Sequence, residues 1–264
     1  MILGVKSSPL NPVNPRRILY VQYTNPAAYP SLEHSSRILA RHGWEILFLG
    51  TGDFIGNILR FQPHPNIRTK QLAFCPGGWR QKFHYLWFCL WVIGWTISLR
   101  PQWIYASDLL SCPIALFLSR FFALKIIYHE HDSPNGLVIN QWIHLCLWTR
   151  RRLARRSEFC ILPNEKRSGR FKREAGNECQ TLSVLNCPAC DEIFKSPPIP
   201  REGNELEVLY HGSIVPSRFP STVLKAMSLL PNSVKLRVIG YETVGHKGYV
   251  KKLKQLAFQL GISD

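Results

Sequence analysis

Short apolar runs alternate with amphipathic stretches from about residue 17 and then begin afresh at Leu206, and this repeated alternation limits the possible folds more than any other feature. The first run, Arg17 to Tyr23 (R-I-L-Y-V-Q-Y), is continuous in apolar character, as expected of a strand buried on both faces of a parallel sheet. Pro30 and Ser31 open a helix to His42 that Gly43 closes. Strands at Trp44 to Leu49 and Ile67 to Phe74 flank a loop with Gly50, Gly52 and Gly56. The uncharged run Phe83 to Leu99 reads as a buried or interface-lying helix, with a membrane span as the alternative, since a bilayer asks for about 20 residues.

Strands at Trp103 to Tyr105, Lys125 to Tyr128, Phe159 to Leu162 and Thr181 to Leu185 continue the pattern. Helices are expected at Leu109 to Phe122, from Ser133 and Pro134 through Trp142, Leu145 and Trp148, and from an Asn164 cap to Ala175 before Gly176. Prolines 188, 197, 198 and 200 mark a linker. Beyond it, L-E-V-L-Y-H-G-S-I-V-P-S-R at Leu206 to Arg218 is a strand ending at His211 and a loop. A helix from Pro220 to Leu230, a strand Lys235 to Ile239 closed by Gly240, and a helix Tyr249 to Leu260 follow. The expected map is a loose tail at 1–15, a Rossmann-like domain at 16–186, a linker at 187–204 and part of a second Rossmann-like domain at 205–264. The fold class is α/β, with two doubly wound parallel sheets of which the second is incomplete.

A chain of 264 residues with 45% hydrophobic and 19% charged residues is globular and long enough for two domains. Its 33 Lys+Arg against 17 Asp+Glu, a net +16, draw polyanions such as nucleic acid, anionic lipid or a phosphorylated substrate. Nucleic acid is disfavoured, because the aromatics lie in apolar runs and do not interleave with the basic residues as stacking platforms would. The eight cysteines sit mostly in apolar runs, which points to a reducing compartment, and the proline-broken start lacks the apolar core of a secretory signal.

In doubly wound sheets ligands bind beyond the carboxyl ends of the strands, which selects the loops Thr24 to Pro30, Ala106 to Asp108, His129 to Pro134 and Gly212 to Arg218. Asn25, Asp108 and Asp132 are cleft candidates, and Asp108 equally suits a helix cap. His129 and His131, with Glu130 or Asp132, have the spacing of a metal pair, yet nothing else supplies a matched ligand set, so no metal site is expected. Cys187 and Cys190 form a C-x-x-C without a second pair. The basic block Arg150, Arg151, Arg152, Arg155 and Arg156 is either a solvated face or a contact for anionic lipid.

R-I-L-Y-V-Q-Y, I-I-Y-H-E-H-D, N-C-P, L-Y-H-G-S-I-V-P-S-R, A-M-S-L-L-P and L-R-V-I-G, in this order, make the chain resemble the amino-terminal two thirds of a glycosyltransferase of the family 4-like group. The resemblance implies the two-Rossmann GT-B fold and transfer of a sugar from a nucleotide-sugar donor to a glycan or lipid-linked acceptor. It further implies retention of configuration, no metal or other cofactor, and work at the cytoplasmic face of the cell membrane. It places the donor between domains, with Gly212 and Ser213 facing its phosphates, Arg218 stabilising the departing diphosphate, and His131 near the sugar. The first loop, T-N-P-A-A-Y-P, lacks the family's usual glycine pair, and Val223 stands where many members carry a lysine. The family's glutamate pair is expected beyond Asp264, so the sequence reads as a fragment. The alternative is a truncated, catalytically inactive basic protein that binds anionic lipid or nucleic acid.

Overall fold

The computed structural model describes residues 16–53, 59–134, 140–176, 178–188 and 205–263. The expected tail at 1–15, Gly56, Cys190 and most of the expected linker lie outside the described residues. The chain divides into two compact units, Met1–Ile193 and Phe194–Asp264.

The first unit is a parallel sheet of seven strands: β1 (Arg17–Val21), β2 (Glu45–Thr51), β3 (Ile67–Leu72), β4 (Trp103–Ser107), β5 (Lys125–His129), β6 (Phe159–Leu162) and β7 (Thr181–Ser183). Their order is β3-β2-β1-β4-β5-β6-β7. Helices α1 (Pro30–Arg41), α2 (Trp79–Leu99), α3 (Cys112–Phe121), α4 (Gln141–Ala154) and α5 (Glu165–Ala175) cover it. The alternation of β1 explains the continuous apolar run. Ile18 and Tyr20 pack with Leu32 and Ala40 of α1 on one face, while Leu19 and Val21 join a larger core with residues of α2, α3, α4 and α5 on the other. Strand order reverses between β1 and β4, so the loops leaving these two strands part at that point and open a crevice.

The starts of α2 and α4 differ most from expectation. α2 begins at Trp79, four residues before the uncharged run, because Arg80 and Lys82 are good helix formers and charge marks exposure, not a helix end. It buries Tyr85, Phe88, Val92, Thr96 and Leu99 at three- and four-residue spacing. Its other faces leave Trp79, Phe83, Leu86, Trp87, Leu90 and Ile97 more than half exposed. No helix among the described residues is long and apolar enough to cross a membrane. Helix α4 starts at Gln141 and not at Ser133–Pro134, because Asn140 Oδ1 accepts from Ile143 N at 2.9 Å and supplies the cap. The Asn164 cap of α5 is as expected, with Arg167 N donating to its Oδ1 at 2.9 Å.

The described part of the second unit has the parallel strands β8 (Leu206–Ser213) and β9 (Val234–Tyr241) with helices α6 (Thr222–Met227) and α7 (Tyr249–Gln259). Ile214, Phe219, Leu224 and Leu253 form its core, with Tyr210 and Leu236 packed against it. Both strands run past their expected ends, through Gly212 and Gly240, which are register partners. A Cβ on Gly240 would lie 1.8 Å from the Gly212 carbonyl oxygen, so this glycine permits close approach of two backbones and does not end the strand.

Candidate active site

His131, two residues beyond β5, is held from four sides. Its Nε2 lies 2.9 Å from Ser107 Oγ at the end of β4, and its Nδ1 lies 3.2 Å from Ser31 Oγ in the first turn of α1. Its backbone N–H donates to Asp108 Oδ1 at 2.9 Å, and its carbonyl accepts from Arg167 Nη1 at 2.6 Å. The ring lies tilted against two others, 3.9 Å, centroid to centroid, from His129 and 4.8 Å from Tyr29. Burial lowers the His131 pKa to about 4 although Asp132 pulls it upward, and burial beside His131 lowers that of His129 to about 3. Both imidazoles are therefore neutral at pH 7. His129 Nδ1 is taken by Tyr105 Oη at 2.6 Å, so these rings are committed to hydroxyl partners. Among the described residues no group of three or more His, Cys, Asp or Glu side chains gathers as a metal site would require.

Asp108 stands on the other side of this cluster, with φ 62° and ψ 176°, a region that residues with a Cβ rarely occupy. The conformation is fixed by its N–H donating to His129 O at 2.9 Å and by Ser111 Oγ donating to its carbonyl at 2.7 Å. It does not cap the next helix through its side chain. Burial raises its carboxyl to about 7, against the lowering effect of the His131 amide, and Asp132 adds to the rise. A carboxyl titrating there can take or give a proton at neutral pH. Asp132 itself is exposed and borders the same cavity as Asp108.

In the second unit the end of β8 and the loop after it carry the other expected residues. Gly212 has φ 149°, Ser213 is buried, and Arg218 Nη1 donates to Ser213 Oγ at 3.1 Å. Tyr210 Oη donates to the Ser213 carbonyl at 2.8 Å, which closes the turn from below. An exposed guanidinium tied to a hydroxyl beside a glycine is an arrangement suited to phosphate oxygens.

No protein-family profile matches the chain, and no curated protein does. Solved structures do. Sucrose-phosphate synthase from Thermosynechococcus elongatus superposes with a TM-score of 0.70 at 13% identity, over 94% of this chain and 69% of that one. Anabaena HepE in complex with UDP and glucose matches with a TM-score of 0.65 at 16% identity, over 94% and 67%. The lipopolysaccharide outer core galactosyltransferase WaaB matches with 0.60 at 12% identity, over 94% and 66%. These neighbours are GT-B glycosyltransferases. The fold is GT-B. The chain spans about two thirds of the length of the structures it matches.

On this GT-B frame, His131, Asp108 and Asp132 come together in the first unit, and Gly212, Ser213 and Arg218 in the second. One expected site residue is corrected. Arg150 is not a membrane contact: it is 2% exposed, paired through Nη2 with Glu130 Oε1 at 2.9 Å and through Nη1 with Glu174 Oε2 at 3.0 Å, over the ring of Phe171. Arg151, Arg152, Arg155 and Arg156 stay exposed, although Arg155 Nε also donates to Ala175 O and Arg156 Nη2 to Ser119 O. Asn25 is 1% exposed, and its amide is used within the protein, with Ala27 N and Gln71 Nε2 donating to Oδ1, and Nδ2 donating to Asp53 and to Leu59 O. It shapes its loop. Ser31, Ser107 and Arg167 were missed. A lone serine or arginine carries no positional signal, and these reach His131 across 100, 24 and 36 residues of sequence.

Proposed function

We propose that this protein transfers a sugar from a nucleotide-sugar donor to a glycan or lipid-linked acceptor. The tie between Arg218 and Ser213 beside Gly212 carries this reading, because a fixed cation and a strand end with a positive-φ glycine form a cradle for a diphosphate. The likeness to HepE, which is seen with UDP and glucose and with UDP-glucose, supports it. As the diphosphate departs, its growing negative charge meets Arg218, so the barrier falls without a metal ion. The resemblance to the family 4-like group adds retention of configuration and His131 as the group beside the sugar.

The protein of the whole reading frame is the one to test, with hydrolysis of UDP-, ADP- and GDP-sugars as the readout. Arg218→Ala is expected to lower kcat by about 100-fold or more, the scale for loss of one preorganised charge-stabilising donor, while circular dichroism stays unchanged. Failure of the wild-type protein to bind UDP, ADP or GDP or to hydrolyse any of these sugars overturns the reading.

We further propose peripheral attachment to an anionic membrane at the cytoplasmic face. The exposed apolar side of α2, led by Trp79, Phe83 and Trp87, and the exposed side of α4, where Arg152 lies over Trp148, support it. Tyr85 of α2 and Trp142 of α4 are in ring contact at 4.8 Å, which joins the two helices. Vesicles containing phosphatidylglycerol are expected to sediment the protein and pure phosphatidylcholine vesicles much less, with Trp87→Glu abolishing the difference.

A further inference from the structure

Two of the cysteines meet in the first unit, both as free thiols. Cys160 lies in β6 and Cys179 stands between α5 and β7, and the Cys160 thiol donates a hydrogen bond to the Cys179 sulfur. The backbones that carry them are already adjacent: Cys160 N donates to Gln180 O at 2.8 Å, and Cys160 is the register partner of Thr181. Both side chains are buried. Cys179 is nevertheless at the rim of the unit, since β7 is an edge strand and Glu178 and Gln180 on either side of it are exposed.

A structural thiol in apolar surroundings is ordinarily inert. Cys179 departs from that pattern. The hydrogen bond from Cys160 lowers its pKa, burial opposes this, and the positive charges of Lys172 and Arg150 add to the lowering. The same hydrogen bond, together with burial, raises the pKa of Cys160. One thiol is thus suited to attack an oxidant and the other to close a bond onto it.

We propose that Cys160 and Cys179 form a site of reversible oxidation by a small peroxide, in which a disulfide staples β6 to the start of β7. The Cys179 thiolate attacks one peroxide oxygen, the O–O bond breaks, and hydroxide leaves to take up a proton, which makes Cys179 a sulfenic acid. The Cys160 sulfur then attacks the Cys179 sulfur. The S–O bond breaks, and the departing hydroxyl leaves as water with the proton of Cys160. The two thiols together give up two electrons and two protons, and the peroxide is reduced to two waters. The oxidant has to reach Cys179 alone, because its partner sulfur is already in contact.

The bond closes a loop over residues 160–179, which holds α5 and with it Arg167, the donor to the His131 carbonyl. Closing such a loop restrains the unfolded chain, so the oxidised protein is the more stable form.

The test treats the whole protein with hydrogen peroxide and maps the thiols by peptide mass spectrometry. A linked peptide about 2 Da lighter than its two reduced halves, joining Cys160 to Cys179, is expected, and dithiothreitol should separate it. Tm should rise by about 5 °C or more over that of the reduced protein. Cys160→Ala is expected to strand Cys179 as a sulfenic acid, seen as dimedone labelling at Cys179 that the oxidised wild type does not show, and to abolish the rise in Tm. The exposed Cys187 reports that the oxidant was active. Oxidised Cys187 with Cys160 and Cys179 both still free overturns the proposal. So does a linked wild type that unfolds at the temperature of the reduced form or below it, and neither result depends on a variant folding.

Discussion

Asp108 holds a carboxylate in a backbone conformation suited to glycine, and the neighbouring His131 has its charge suppressed by burial. The two titrate in opposite senses. Asp108 rises from 3.8 to about 7, so the folded chain binds its proton more tightly, and the stability this gives is present below pH 4 and lost as pH climbs to 7. His131 and His129 fall from 6.5 to about 4 and about 3, so their contribution is present above pH 6.5 and lost as pH drops toward those values. Asp108→Asn is therefore expected to remove the descending contribution alone. Its urea midpoint should climb more steeply than that of the wild type between pH 4 and 7, and parallel curves would contradict the Asp108 assignment. A second residue-scale expectation concerns Arg150. Arg150→Ala leaves Glu130, itself 3% exposed, without its cation and with the Tyr128 hydroxyl as its remaining donor, and should cost about 3–5 kcal/mol in urea unfolding, whereas Arg151→Ala should stay within about 0.5 kcal/mol. In the sequence these arginines look alike, because a run of like charges does not reveal which side chain turns inward to a partner 20 residues away. The closeness of Arg218 to Ser213 was legible, since only five positions separate them.

At the scale of elements, the buried strands of the first unit were legible because a strand with both faces covered leaves a continuous apolar run. Ends were less so. α2 extends into charged residues, and β8 and β9 extend through glycines that sequence reading takes as stops. The pairing of Gly212 with Gly240 gives an expectation specific to this geometry. Gly240→Ala must push the two backbones apart and should destabilise the second unit by about 2 kcal/mol or more, seen as faster amide exchange in β8 and β9 with the β1–β7 amides unchanged. An exposed glycine with open space around it, such as Gly245, should tolerate the same change.

For the whole molecule, the class of fold was legible from the repeated alternation, and likeness to solved structures over 94% of the chain agrees with it despite 13% identity. The second unit has a consequence for handling the protein. Leu209, Ile239 and Tyr241 project from one face of its two-stranded sheet and are 59%, 48% and 70% exposed. Parallel sheets are ordinarily covered on both faces. The 264-residue chain is thus expected to self-associate in sedimentation velocity, and Leu209→Lys with Ile239→Lys to shift it toward the monomer. The site in the first unit is assembled from distant parts of the chain: Gln22 meets Asp108 across 86 residues and Ser31 meets His131 across 100. Neither meeting is possible until β1, β4 and β5 lie side by side, and loops of that length close slowly. Competence of this site should therefore return only once these three strands have paired, so a ligand bound there would report on that pairing and, by binding only that state, would hold it together.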